Sequence, residues 1–174
     1  MTDTDFAAAV ARVLAHEGGF QAAAEDRGNW TGGQIGAGQL KGTKFGISAA
    51  AYPTLDIANL TTDEAIAIYR RDWWDRLGLG RLPPPLAGKL LDAAVDMGPE
   101  AATRALQRAL RACGAALAED GRLGDATLAA VAASAPETLL PALREAVAGH
   151  YRLVAARNPA SSRFLAGWLA RAYS

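Results

Sequence analysis

A mainly α-helical fold with one small glycine-rich β-hairpin or loop is what this sequence predicts, and three observations predict it. Apolar residues recur at three- and four-residue steps through most of the chain, with alanine at many of the positions between them. Alternating β-branched runs are nearly absent. Against that background, seven of the 18 glycines crowd between positions 28 and 46, too dense for a long helix. At 174 residues the chain can enclose one sizeable core, or a small domain with a tightly packed appendage.

The first helix is expected from about Asp3 to Glu17, with Thr2 or Thr4 as its cap and Phe6, Val10, Val13 and Leu14 on its buried face. In the glycine-rich stretch that follows, the Gly32-Gly33 pair between "NWT" and "QI" is placed to turn a small β-hairpin. Thr61 and Glu64 have the spacing of a capping box, opening a helix with Ile66, Tyr69 and Trp73 on one face. "GLGRLPPPL" is a rigid break, after which Leu86, Leu90, Ala93 and Met97 form a second buried stripe. Gly98-Pro99 interrupts, and Ala102, Leu106, Leu110 and Cys113 form a third. Asp125 is placed to cap a helix carrying Leu128 and Val131. A last long helix starts near Pro136, with a bend expected at Pro141, and ends near Asn158-Pro159 before an amphipathic tail, "SSRFLAGWLARAY".

Composition removes several function classes. Lys plus Arg equals Asp plus Glu at 18 each, so no global field draws nucleic acid or anionic lipid. No apolar run approaches the ~20 residues that span a bilayer, so stable membrane insertion is not expected. The acidic start "MTDTDF" differs from a secretory signal, which predicts synthesis in the cytoplasm without one. Cys113, the single cysteine, reads as a buried inert thiol. His16 and His150 are the only histidines. Neither His-Glu-x-x-His, Cys-x-x-Cys, a phosphate loop nor Gly-x-Ser-x-Gly occurs, so no metal and no cofactor are expected.

One residue breaks the pattern. Glu17 stands three after Leu14 and four after Val13, on the apolar stripe of the first helix, and Gly18-Gly19 then stop that helix. The negative end of the helix dipole and partial burial both favour a neutral carboxyl there, the state a proton donor needs near neutrality. The alternative is a glutamate turned into solvent at a frayed end. Position alone leaves both open.

The segments around it narrow the choice. "HEGGF", "DRG", "TKFGIS", "AYP" and "LTTDEAIAIYRRDWWD", in that order, resemble the glycoside hydrolase family 108 muramidases. The second half, with "AAVDMGPEAATRALQRAL", "DGRLGDATLAAV" and "FLAGWLARA", resembles the peptidoglycan-binding region that commonly follows. The resemblance implies a lysozyme-like helical fold, with residues 1–95 as the muramidase catalytic region and 96–174 as a helical peptidoglycan-binding region packed on it. It implies cleavage of the β-1,4 bond between N-acetylmuramic acid and N-acetylglucosamine in peptidoglycan glycan strands, with Glu17 as the general acid. The rival reading is a non-catalytic wall-binding module in which Glu17 is a relic.

A glycosidase ordinarily needs a second group. Asp26 matches the family motif, and its alternative is an Asx-turn residue satisfying nearby backbone donors; nothing singles out Glu25. Thr43 orients a water or a sugar hydroxyl, or holds a turn. Among the aromatic residues, Tyr69 and Trp73 share the Ile66 stripe and read as core, whereas Trp30, Tyr52 and Trp74 are groove candidates. Asp96 stands where relatives often carry asparagine, and either lines the groove or pairs locally. The stretch "NWTGGQIGAGQLKG" is longer than in many relatives and reads as a flap beside the cleft. The resemblance also implies a monomeric endolysin of a phage, a gene-transfer particle or a host export system. It would reach periplasmic peptidoglycan through a holin-dependent or dedicated route.

Overall fold

The computed structural model describes residues 3–174, with side chains from residue 5; the cap expected from Thr2 or Thr4 falls outside the described side chains. The fold is mainly α. Helix α1 (Asp3–His16) buries Phe6, Val10 and Val13 as their spacing requires. Helix α2 (Thr62–Tyr69) opens with the Thr61–Glu64 capping box. Helix α3 (Pro84–Met97) starts on prolines, whose fixed φ and missing donor suit a first turn. It then packs on α1, closely enough that a Cβ added at Gly88 would sit 3.7 Å from that of Ala9.

Helix α4 (Pro99–Ala112) follows after Gly98, whose φ of 88° breaks the path between the two helices. Helix α5 (Asp125–Ala133) and the long α6 (Pro136–Arg157) come next, then a 3₁₀ turn and α7 (Leu165–Tyr173). Helix α4 packs on α3 and α6, and α7 on α6. A single apolar cluster runs from Phe6 to Ala172, so the two halves share one core.

Five expectations need correction. The regular two-stranded hairpin is not at Gly32-Gly33 but between β1 (Thr43–Lys44) and β2 (Ile47–Ser48), with Thr43 opposite Ser48. Phe45 (φ 53°) and Gly46 (φ 73°) both take the positive φ that a two-residue turn matching the strand twist needs. Gly32-Gly33 instead belongs to an irregular excursion closed by the Trp30–Leu40 bridge and the Thr31 N–H to Gln39 carbonyl bond of 2.9 Å.

Trp74, a groove candidate, is in the core: it is 4% exposed and meets Phe6 edge-on at 5.3 Å. Trp73 is only half-buried, against Tyr69 at 5.1 Å. The cause is a π-helical turn over Arg70–Asp75. One extra residue in a turn moves the buried place from i+4 to i+5, from Trp73 to Trp74 on the face of Tyr69. Cys113 is exposed, because α4 stops one residue before it and Cys113 (ψ 6°) leaves the stripe. Asp125 makes no cap; Gly124 occupies that position, and Asp125 pairs with Arg81 at 2.8 Å.

Candidate active site

Glu17 follows the last residue of α1, its amide still donating to the Val13 carbonyl at 3.0 Å. Its side chain is 19% exposed. Two structural features flank its two oxygens. One is the β-hairpin: a Cβ at Gly46 would lie 2.8 Å from Glu17 Oε2 and 2.7 Å from the Tyr69 hydroxyl. Glycine is required there twice, for the close approach and for the positive φ. The Tyr69 hydroxyl donates to the Phe45 carbonyl at 2.7 Å, locking the turn over the glutamate. Burial, and then the nearby Glu17 charge, push the Tyr69 pKa upward, so the phenol stays a neutral donor.

The second feature comes from the far end of the chain. Arg171 of α7 places Nη2 3.0 Å from Glu17 Oε1, Nε 2.9 Å from Asp92 Oδ1 and Nη1 3.4 Å from Asp96 Oδ1. Burial works against the Arg171 charge, but the three carboxylates outweigh it and the pKa is raised. Asp96 also accepts from the Tyr151 hydroxyl at 2.5 Å. Both partners of Asp96 are remote in the chain, so local pairing, one of its two readings, is not what engages it. Arg171 and Tyr151 escaped the sequence reading because their partners are remote in the chain. Asp92 did carry a signal: with Lys89 and Asp96 it has helical spacing inside an apolar run, the same anomaly that exposes Glu17.

Asp26 caps a 3₁₀ turn (Arg27–Asn29), accepting from Gly28 N–H at 2.8 Å and from Gln21 Nε2 at 3.3 Å. Its geometry is that of the Asx turn. A chain of hydrogen bonds ties it onward. Gln21 and the fully buried Asn29 exchange bonds of 2.8 and 3.1 Å, and the Thr43 hydroxyl donates to Asn29 Oδ1 at 2.7 Å. The hairpin therefore carries Gly46 to Glu17 at one end and joins Thr43 to Asp26 at the other. Trp30 donates from its indole to the Ala24 carbonyl at 2.8 Å and is half-buried. Tyr52 donates to Asp72 at 2.7 Å, and burial with that bond pushes its pKa up; this contact ties the loop after β2 to the π-helical turn.

The mainly α scaffold with one short antiparallel hairpin defines a lysozyme-like fold. The family model for glycosyl hydrolase 108 matches residues 10–98, and that for a predicted peptidoglycan domain matches residues 101–173. The chain belongs to glycosyl hydrolase family 108 and is a lysozyme-like glycoside hydrolase acting on peptidoglycan. Among solved structures it is similar to SagA of Brucella abortus, at 28% identity and a TM-score of 0.73, over 99% of this chain and 91% of that one. No curated protein sequence matches it.

Proposed function

We propose that this hydrolase is an N-acetylmuramidase cutting the β-1,4 bond between N-acetylmuramic acid and N-acetylglucosamine, with Glu17 as the general acid. The observation that carries the reading is the division of labour between the Glu17 oxygens. Arg171 holds Oε1, leaving Oε2, beside Gly46, to carry the proton to the leaving glycosidic oxygen. Because one guanidinium faces three carboxylates, a proton on Glu17 leaves Arg171 still paired with Asp92 and Asp96. Asp26 is the second carboxylate of this reading, steadied by Gln21 and the Gly28 amide. Thr43 orients a water or sugar hydroxyl beside it. Trp30 offers a half-buried face to a sugar ring.

In this reading residues 1–95 perform the chemistry and 96–174 add wall affinity, a division supported by the two family models meeting between 98 and 101. No helix among the described residues is long and apolar enough to cross a membrane. The enzyme acts as a monomer on periplasmic peptidoglycan, reached by a holin-dependent or dedicated route, in a phage, gene-transfer or export context.

Glu17→Gln is the test, because it keeps the volume and removes the proton donor. Turbidity loss of purified wall should fall by about 10²–10⁴-fold with the unfolding midpoint nearly unchanged. Retention of more than about a tenth of the rate would be far above what loss of general acid catalysis permits, and would overturn the assignment.

A further inference from the structure

Asp92 has a second neighbourhood besides Arg171. It lines a cavity of about 330 Å³ at the junction of α1, α3, α6 and the end of α7, so both halves of the chain build it. The ionisable lining is Arg12, His16, Lys89, Asp92 and Arg144. The carboxylate of that set is already engaged, by Arg171 Nε at 2.9 Å and Lys89 Nζ at 3.5 Å. Lys89 also donates to the Arg171 carbonyl, which leaves Arg12 and Arg144 as the cations of the set without a carboxylate side chain. Arg12 is exposed and has no hydrogen-bond or ion-pair partner among the described residues. Arg144 donates one hydrogen bond, from Nη2 to the Ser174 carbonyl at 3.2 Å, and its buried Nε has no partner. Lys89 is 6% exposed. Burial pushes its pKa down, and the charges on Arg144 and Arg171 add to this against Asp92.

A buried guanidinium nitrogen without an acceptor is costly until one arrives, and Arg144 Nε is such a group. Leu140 and Pro85 complete the walls with aliphatic surface. Cations over aliphatic walls suit a short peptide bearing carboxylates better than a neutral sugar. The substrate carries such a peptide: each N-acetylmuramic acid bears a stem through its lactyl ether, on the very sugar whose glycosidic bond is cut. The cavity is also one relay from the proposed acid, since Asp92 holds Arg171 and Arg171 holds Glu17.

We propose that this cavity binds a carboxylate of the peptidoglycan stem peptide through Arg12 and Arg144, with Lys89 at its floor. The inference rests on the muramidase reading. It makes the enzyme prefer peptide-bearing glycan, using an element from each half of the chain.

The test compares glycan strands carrying tripeptide stems with the same strands stripped by an amidase. The expected result is a KM lower by about tenfold on the peptide-bearing strands, the scale of hydrogen bonds to a charged group. R12A and R144Q should each remove most of that difference while leaving hydrolysis of stripped strands unchanged. Arg12 is exposed, so R12A should keep the wild-type unfolding midpoint even if R144Q does not. Equal KM values on the two wild-type substrates, or a difference that survives in R12A, overturn the proposal and leave the muramidase reading standing. No hydrolysis of either substrate overturns that reading instead. Calorimetric titration of the intact protein then decides the cavity independently. Binding of a soluble stem tripeptide that R12A weakens supports the proposal; no binding, or equal binding of inorganic phosphate, overturns it.

Discussion

Asn29 in the first half of the chain and Gln107 in the second are both buried carboxamides that hold an irregular segment, yet they do it from different foundations. Asn29 is itself in a loop, and its side chain bonds Gln21, the Ala23 carbonyl and Thr43, all loop or hairpin residues. Gln107 projects from α4 and gathers Asp120, the Arg122 carbonyl, Thr127 and the Gly121 amide. The first amide organises chain that has little apolar scaffold of its own; the second fastens a loop to a helix already set by Leu106 and Leu110. Proposed chemistry sits on the first kind of structure. A site built from loops can place a glycine turn against a carboxylate, but its geometry depends on polar bonds that a single truncation can undo.

Arg171 is the point at which that contrast breaks down, because it belongs to the second half and serves the first. Its side chain is 13% exposed, and replacing it with Met leaves Glu17, Asp92 and Asp96 facing one another without the guanidinium. Loss of one partner from a buried ion cluster costs about 3 kcal/mol or more. The expected outcome for Arg171→Met is a destabilisation of that size by urea unfolding at pH 7, together with a fall in wall hydrolysis. Arg171→Lys should recover part of that deficit, since it returns a cation to the three carboxylates. A lysine variant as unstable as the methionine one would show that Arg171 acts through packing alone.

Asn29→Ala should come next, at about 2 kcal/mol, because several buried bonds lose a partner at once. Hydrolysis should drop with it, as Thr43 and Gln21 lose their common anchor. Gln107→Ala is expected to cost less, about 1 kcal/mol, since Asp120 and Arg122 are exposed and can turn to water. Its rate on soluble glycan should match the wild type. If both variants lost activity equally, the two halves would be one cooperative unit and the contrast between them would fail.

The same contrast explains what the sequence made legible. Helical stripes and the Thr61–Glu64 box are local, and they placed α1, α3, α4 and α6 with nearly correct ends, and the start of α2. Glu17 was legible as a charge on an apolar stripe, and Asp92 carried the same signal unread. The π-helical turn was not legible, because the phase slip that exchanges Trp73 for Trp74 leaves no mark on an α-periodic count. Gly32-Gly33 read as the hairpin turn, and what selects Phe45-Gly46 instead is tertiary: the Tyr69 hydroxyl on the Phe45 carbonyl and the carboxyl of Glu17 against Gly46. Asp26 was read from a motif that fits a catalytic group and an Asx turn equally. Arg171 lies 154 residues from Glu17, and nothing in the amphipathic tail names its partner.

The smallest expected effect tests whether the loop half is held by charge-assisted bonds outside the Arg171 cluster. Tyr52 donates to Asp72 Oδ2 at 2.7 Å, and Arg71 pairs with the same carboxylate at 2.7 Å. The Arg71 hydrogen bond, opposed by burial and helped by Tyr52, lowers the Asp72 pKa from 3.8 to about 2. A depressed carboxylate stabilises the fold above its unfolded pKa, and that contribution is lost as pH falls through the folded value. Tyr52→Phe removes one bond and leaves Arg71 in place, so its cost at pH 7 should be about 1 kcal/mol. The gap between variant and wild type should then narrow between about pH 4 and pH 2, when Asp72 takes up its proton and the charge assistance to the Tyr52 bond disappears. Thermal unfolding across that range reads the gap directly. A gap that stays constant would assign the Tyr52 contribution to packing of its ring, and the loop after β2 would then be held like the helical half, by apolar contact.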